Sequence, residues 1–590
     1  LAYSNATDTD FITQRRVDMV SRNEGVVTQE DSNTETENVI NLGGIFGIGL
    51  NLFKNNEINF TQVLTRSTLN STFLIERDAK NNVDDTANIY RLRWQERELR
   101  TSQLNGVHKL TSSERGPKIQ WSFTNSQASL DEPDFREYYY LNINDQLLFA
   151  DDKVYGNERS FSSLQEVLND FKINYESNAR FKTSAKDFMD MGFKIGFQNV
   201  QKDREFNVRR FKFRKDSTSG STASYDREDP LNDILSDENI RPGVFRLIDS
   251  TLPTDNYLAD QGINALYFQG SNTFNYRYNT KSGYDYFKPQ IVYGLRLERS
   301  MQNVNTFDLN STNTAINTDL STNDLLPSLG LNFALNAKHT LRFGFTKTLS
   351  RPDFKELSPA RFLNDDDNIY ERGNPDLVPA SITNFDFRWD WYPTSKELIS
   401  VGLFVKNFEN PIEAYAVNST DSIRSYRNIS QATNSGIEFE LRKDITQFIG
   451  AGFNTEIFSN YSLIASQVNL TAEEKGDSTS FERPLQGQSP YLLNFGIDIN
   501  MPWYDLNSTL VYNVVGERIT DVGDGGRPDT YEEPIHQLDL SIVQKIKKNL
   551  NLTFRAQNLL DPKVTRTQGD FTVSGFQRGR VLSLGLSAIF

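Results

Sequence analysis

One unit recurs down this chain: a run in which every second residue is apolar, a turn of a few polar residues, a second such run, and then a long polar connection. Leu329, Leu331, Phe333 and Leu335 lead into Asn336-Ala337-Lys338-His339, and Leu341, Phe343 and Phe345 follow. Period two on both arms of a short turn specifies a β-hairpin. The unit returns at residues 45–53 and 58–64 around Lys54-Asn55-Asn56-Glu57, and at Phe385, Phe387, Trp389 and Trp391 before Pro393-Thr394-Ser395-Lys396 and Ile399, Val401, Leu403 and Val405. Further copies are Ile437, Phe439 and Leu441 with residues 448–458, and Leu538, Leu540 and Ile542 with Leu550, Leu552 and Phe554. The connections between hairpins fall at residues 17–43, 67–93, 131–167, 215–254, 306–323, 352–380, 411–423, 463–487, 519–534 and 560–577, rich in Asp, Asn, Ser, Thr and Gly.

No apolar run approaches the roughly 20 residues of a membrane-crossing helix, so a membrane protein with this pattern has to cross with strands closed into a barrel. Such a wall dilutes its lipid-facing residues with lumen-facing polar ones, which suits a chain with 37% hydrophobic residues and a net charge of −15. The last segment carries the same pattern. Leu582, Leu584, Leu586, Ala588 and Phe590 share one face, while Ser583, Gly585 and Ser587 share the other. A final strand ending on an aromatic, here Phe590, is the closing signal of outer-membrane barrels. The pattern predicts an all-β fold, an antiparallel transmembrane β-barrel over residues 1–590 with about 20 strands, short periplasmic turns and long extracellular loops. Residues 193–213 and 291–307 should project above the membrane, and Trp391, Tyr392, Trp503 and Tyr504 should join the periplasmic aromatic girdle. Soluble sandwiches or propellers also give many short strands, but not this alternation of short turns with long loops.

Few residues suggest chemistry. With no Cys, disulfides, thiolate metal sites and a Cys nucleophile are excluded. His108, His339 and His536 lack zinc-site spacing; the second is expected in a hairpin turn, the others in strands. Asp365-Asp366-Asp367-Asn368 offers hard oxygens for Ca²⁺ but reads better as a solvated loop. Gly344, Gly402, Gly436, Gly452 and Gly496 sit inside strand patterns and read as strand features. Glu438 and Glu440 should both face inward and pair with basic residues of neighbouring strands. No catalytic, cofactor or metal residues are assigned, no enzyme activity is expected, and the net negative charge argues against nucleic acid as a partner.

Longer motifs narrow the reading. Thr346-Lys347-Thr348-Leu349-Ser350-Arg351-Pro352-Asp353-Phe354-Lys355-Glu356-Leu357-Ser358-Pro359, followed by Gly373-Asn374-Pro375-Asp376-Leu377-Val378-Pro379, resembles the barrel of TonB-dependent outer-membrane receptors, in the form found in Bacteroidetes. Asn434-Ser435-Gly436-Ile437-Glu438-Phe439-Glu440, Tyr512-Asn513-Val514-Val515-Gly516-Glu517-Arg518 and Gly294-Leu295-Arg296-Leu297-Glu298 reinforce it. The resemblance implies a 22-stranded barrel filled by an N-terminal plug, residence in the Gram-negative outer membrane among lipid and lipopolysaccharide, and import of a scarce nutrient too large for porins, driven by the TonB complex through the plug. Matching strands backward from Phe590, this sequence supplies strands three to 22, and the first two strands and the plug are expected to lie outside it. The alternative role is a structural barrel subunit whose loops dock surface lipoproteins or secretion components. The substrate-binding residues are not readable from these motifs.

Overall fold

The computed structural model describes every residue except 1, 22–23, 54, 81–85, 114, 152–155, 183, 185–186, 217–224, 281–282, 309–310, 365–368, 418–422, 451, 478, 525 and 589–590. Phe590 and the Asp365–Asn368 run therefore lie outside the described residues. Among the described residues, thirty strands form two sheets, one of 26 strands and one of four. Within the large sheet, twenty strands follow one another antiparallel as a wall, from Ala2–Ser21 to Val581–Ala588. The other six are short and belong to the connections. The expected count of about 20 describes the wall; the six connection strands carried too little pattern to be read.

The hairpin registers follow the alternation. Phe333 pairs with Leu341, Leu331 with Phe343 and Leu329 with Phe345. Followed across strands, one row reads Leu331, Phe343, Phe387, Leu403, Ile437, Leu463 and Tyr491, wholly apolar or aromatic. A row on the opposite face reads Thr340, Asp390, Ser400, Glu440, Asn460, Asn494 and Asn513, wholly polar. Leu403 and Phe439 are more than 40% exposed and Leu584 is 73% exposed, so the apolar face points out of the wall. That arrangement is stable only where lipid solvates the outside and water the inside.

The two arcs of the wall differ in height. The ten strands up to Ser311–Ala334 are 20–29 residues long, whereas the ten from His339–Ser350 onward are 8–16. Several connections expected to be loops are therefore strand: Ala2–Ser21 and Glu24–Leu52 leave only residues 22–23 between them, and residues 67–93 and 306–323 are likewise mostly ladder. They were illegible because above the bilayer the outward residues turn polar, and the apolar alternation disappears while the backbone pairing continues. Phe188–Lys215 shows the change within one strand. Phe193, Ile195 and Phe197 face outward low on the strand; Asn199, Gln201, Asp203, Glu205 and Asn207 continue that face above them, while Phe206 and Val208 are buried on the inside.

At the seam, Ala2–Ser21 pairs with Glu24–Leu52 and, through Phe11–Gln14, with the connection strand Phe571–Gln577. Val581–Ala588 pairs only with Leu550–Gln557 among the described residues, and residues 45–52 pair only with Asn56–Ala79. The sheet thus joins itself at the long-loop end, while residues 45–52 and Val581–Ala588 each leave one edge without a ladder partner among the described residues.

At the short-turn rim, Trp503 and Tyr504 are 84% and 69% exposed in the turn Pro502–Tyr504. His339 opens its strand instead of sitting in the turn, because its ring stacks beside Trp389 and Trp391 at 6.0 and 6.1 Å. Gly452 also departs from expectation: it lies in the turn before Asn454–Asn469 at φ +116°, a conformation that favours glycine. Gly436 and Gly496 are strand glycines, each leaving room for a ring, Phe404 and Phe458 respectively.

Candidate functional site

The polar inner face is held by ion pairs. Arg388 bonds Asp390 at 2.7 Å and reaches Glu440, two strands away, at 2.6 Å. The strand between presents Gly402 opposite Arg388, so no side chain obstructs the reach. Glu440 therefore pairs with a basic residue as expected, though from two strands away, whereas Glu438, opposite Gly402, makes no ion pair among the described residues. His108 bonds Asn56 at 2.8 Å and accepts from the Trp121 indole at 3.0 Å, while His536 meets the Tyr512 hydroxyl at 2.7 Å. No group of three potential metal ligands occurs among the described residues.

The short arc sends two connections back into the mouth of the barrel. They form the second sheet, ordered Arg361–Asn364, Ile369–Arg372, Ile423–Asn428 and Ile412–Val417. The long motif singled out in the sequence builds its foundation. Asp353 caps the helical turn Phe354–Leu357, accepting from the Lys355 N–H at 2.9 Å while its own N–H donates to Glu356 at 2.8 Å. Gly373 crosses that turn so closely that a Cβ would lie 2.3 Å from the Ser358 carbonyl oxygen. Any other residue would push the two segments apart.

The sheet docks on the inner face of the tall arc. Phe362 packs on Phe206 at 5.2 Å and near Tyr257 at 6.5 Å, within a cluster that includes Val208, Val304, Phe354, Leu357 and Leu377. Lys202 and Arg204 lie over the Phe354 ring at 4.9 and 5.0 Å, and Arg204 also bonds Glu166 and Asp353. On the other side Arg424 bonds Asp521 at 2.6 Å and Glu371 at 3.3 Å. Glu413 and Arg483, both almost inaccessible, close a two-pronged pair at 2.7 and 2.5 Å, and Glu413 accepts a further bond from the Gln486 N–H. Burial opposes ionisation of Glu371, but hydrogen bonds from Lys355 and Asn364 with the charges of Lys355 and Arg424 outweigh it and hold its carboxyl below the ordinary range.

Two cavities flank this sheet, one of about 720 Å³ against the tall arc and one of about 1020 Å³ toward the seam. Glu137, Glu158, Arg210, Arg361 and Tyr370 line both, so they form the partition. The Arg361 guanidinium stacks on Tyr370 at 4.4 Å, and Arg210 bridges Glu158 and the buried Asp255, each at 3.0 Å. This is a charged chamber at the mouth of the barrel, with dimensions that accept a small-molecule solute. The sequence hid it because its residues come from elements far apart in the chain. The one legible signal was the inward spacing of Lys202, Arg204, Arg210 and Lys212 on a strand already expected to project.

A family model described as TonB dependent receptor-like, β-barrel matches residues 41–559. The chain belongs to that family. Its fold is similar to that of the siderophore receptor PiuA from Acinetobacter baumannii, with a TM-score of 0.54 at 10% identity over 98% of this chain and 81% of that one. The ferric-catecholate import receptor Fiu from K12 E. coli gives 0.53 at 12% identity over 100% and 82%, and the ferric yersiniabactin uptake receptor FyuA from Yersinia pestis gives 0.51 at 10% over 99% and 80%. No curated protein matches the chain. The barrel is thus that of an outer-membrane importer of the TonB-dependent type, a transporter and not an enzyme, with its apolar band in the outer-membrane lipid. The short turns then face the periplasm, and the in-folded sheet stands at the extracellular mouth.

Proposed function

We propose that the receptor imports a scarce, water-soluble nutrient too large for porins, and that the chamber beside the in-folded sheet is where the solute first binds. The observation that supports this is the placement of that chamber: it sits inside the wall, at the mouth, between charged side chains already ordered by ion pairs. A preordered polar site binds without the cost of arranging its own groups. We also propose that residues 1–590 form one barrel domain and that two further strands, with a plug, complete it. Two unpaired backbone edges facing lipid would each carry hydrogen-bonding groups at several kcal/mol apiece, which favours a wall filled at the seam.

The test is energy-dependent uptake. A strain lacking the receptor should fail to grow on one limiting nutrient, and wild-type cells should lose the same uptake when TonB is removed. Uptake that survives loss of TonB would sink the proposal. A stoichiometric surface protein bound at residues 131–167 or 215–254, with no uptake defect on deletion, would instead favour the structural-subunit role.

A further inference from the structure

The 1020 Å³ cavity carries positive charge that its own carboxylates do not neutralise. Its four acidic residues are all engaged: Asp31 by Arg77 at 3.2 Å, Glu137 by Arg91 at 2.8 Å, Glu158 by Arg210 at 3.0 Å and Asp521 by Arg424 at 2.6 Å. Arg16, Arg361 and Arg527 line the same cavity and have no carboxylate partner among the described residues. The Nε of Arg361 is moreover buried without any hydrogen-bond partner, its guanidinium held in place by the Tyr370 ring. Three such groups around one cavity, in a chain whose net charge is −15, are out of keeping with a solvated surface. Gln568 and Ser574 add neutral hydrogen-bonding groups to the lining.

We propose that this cavity is an oxyanion site, and that Arg16, Arg361 and Arg527 select a solute bearing several carboxylate or phosphate groups. A guanidinium presents paired N–H donors in a planar fork that fits such groups, and burial of one arm strengthens the contact relative to water. A neutral solute would leave the three cations unanswered. A cationic one would be repelled. The inference rests on the import role and names the class of solute that enters by it.

The experiment uses the full-length receptor purified from outer membranes, with benzene-1,3,5-tricarboxylate as probe and the equally shaped neutral 1,3,5-tricarboxamide as control. Calorimetry should show the tricarboxylate binding at least tenfold more tightly than the amide, with affinity falling as salt rises. R361Q should weaken it about tenfold, R361K less, and R16Q and R527Q each severalfold, while the heat-modifiable gel mobility of the folded barrel stays unchanged. Equal binding of acid and amide, no binding of the acid, or an R16Q/R361Q/R527Q variant that is folded and binds like wild type would each overturn the assignment. Failure of the import role reads differently: anion-selective binding with uptake indifferent to TonB would sink transport and leave the site standing. TonB-dependent uptake without anion selectivity would do the reverse.

Discussion

Strand Phe188–Lys215 of the tall arc and strand Leu398–Glu409 of the short arc both cross the bilayer and both turn their pattern inside out at the top, but the first does so over a far longer stretch. Leu398–Glu409 keeps Leu403 and Val405 outward and ends just after Asn407 turns out and Phe408 packs inward on Ala432. Phe188–Lys215 continues into water and there behaves as soluble sheets do, with Asn207 outside and Phe206 and Val208 packed inside. An inner apolar face has to be covered. The short arc, whose own small inner patch at Ala432 and Val468 is covered locally by Ile429, Leu470 and Leu485, supplies the cover by sending Phe362 and its sheet across the mouth. The asymmetry of height and the position of the chamber are therefore one fact: the chamber lies where cover from one arc meets the other.

The strongest way to break this pairing of arcs is to remove the anchor of the cover. Glu413→Ala leaves the almost inaccessible Arg483 charged and unpaired, at a cost of about 3–5 kcal/mol. Because the lost energy belongs to the connection, residues 412–428 should gain hydrogen exchange and proteolytic cleavage while the wall strands keep their protection. Wall strands that loosen equally would show that sheet and wall are one cooperative unit, contrary to the division drawn between them.

A smaller effect sharpens the contrast between solvents. Leu403→Arg puts a charge into lipid and should destabilise the barrel by about 2–4 kcal/mol near the midplane. Asn207→Arg, outward on the same kind of face but above the lipid, should shift stability by less than about 0.5 kcal/mol. Urea unfolding in lipid vesicles measures both. Similar costs would mean that the two positions share one environment. Phe362→Ala follows at about 2 kcal/mol, from lost ring packing on Phe206 and Tyr257, and should loosen the sheet without moving the membrane band.

What could be read from the sequence divides along the same line. Where lipid is the outer solvent, each strand must alternate, so Leu329, Phe343, Phe385, Leu403 and Phe439 declared the wall and its registers. Above the lipid that constraint lapses. Polar residues alternate with polar ones over residues 29–38 of Glu24–Leu52, and nothing but the ladder marks them as strand. The in-folded sheet was illegible for another reason. Its strands are four to six residues long, too short for any period, and two of them pair in parallel across some fifty residues of chain, Tyr370 with Ile423 and Glu371 with Arg424. The motif from Arg351 to Pro379 pointed to the place by resemblance alone. Asp353 and Gly373 do structural work there, capping and crossing one helical turn, which only the fold brings together. The arginines of the chamber come from the first strand, the in-folded sheet and a late connection, so no local pattern brings Arg16, Arg361 and Arg527 together.

The smallest effect separates the arcs by pH. Glu371 sits at the crossing of the second sheet, bonded to Lys355 at 2.6 Å and to Arg424 at 3.3 Å, and its carboxyl is held below the ordinary range despite burial. A carboxyl depressed in the folded state adds stability at pH above its ordinary value and loses it as acid protonates the folded form. The sheet should therefore stay docked at neutral pH and loosen only as pH falls below 4.5, the ordinary value for such a group. Because the chain contains no Cys, spin labels at Asn207→Cys and Ala416→Cys are unique sites, one on the tall arc and one on the cover. Their separation should hold constant down to that pH and broaden below it, whereas two labels on the short-arc wall should not move. Glu371→Gln keeps the shape and removes the titration, so its distance distribution should be broad already at neutral pH and insensitive to acid. A wild-type distribution that ignores acid would mean that ring packing on Phe362, and not the Glu371 charge, holds the cover to the tall arc.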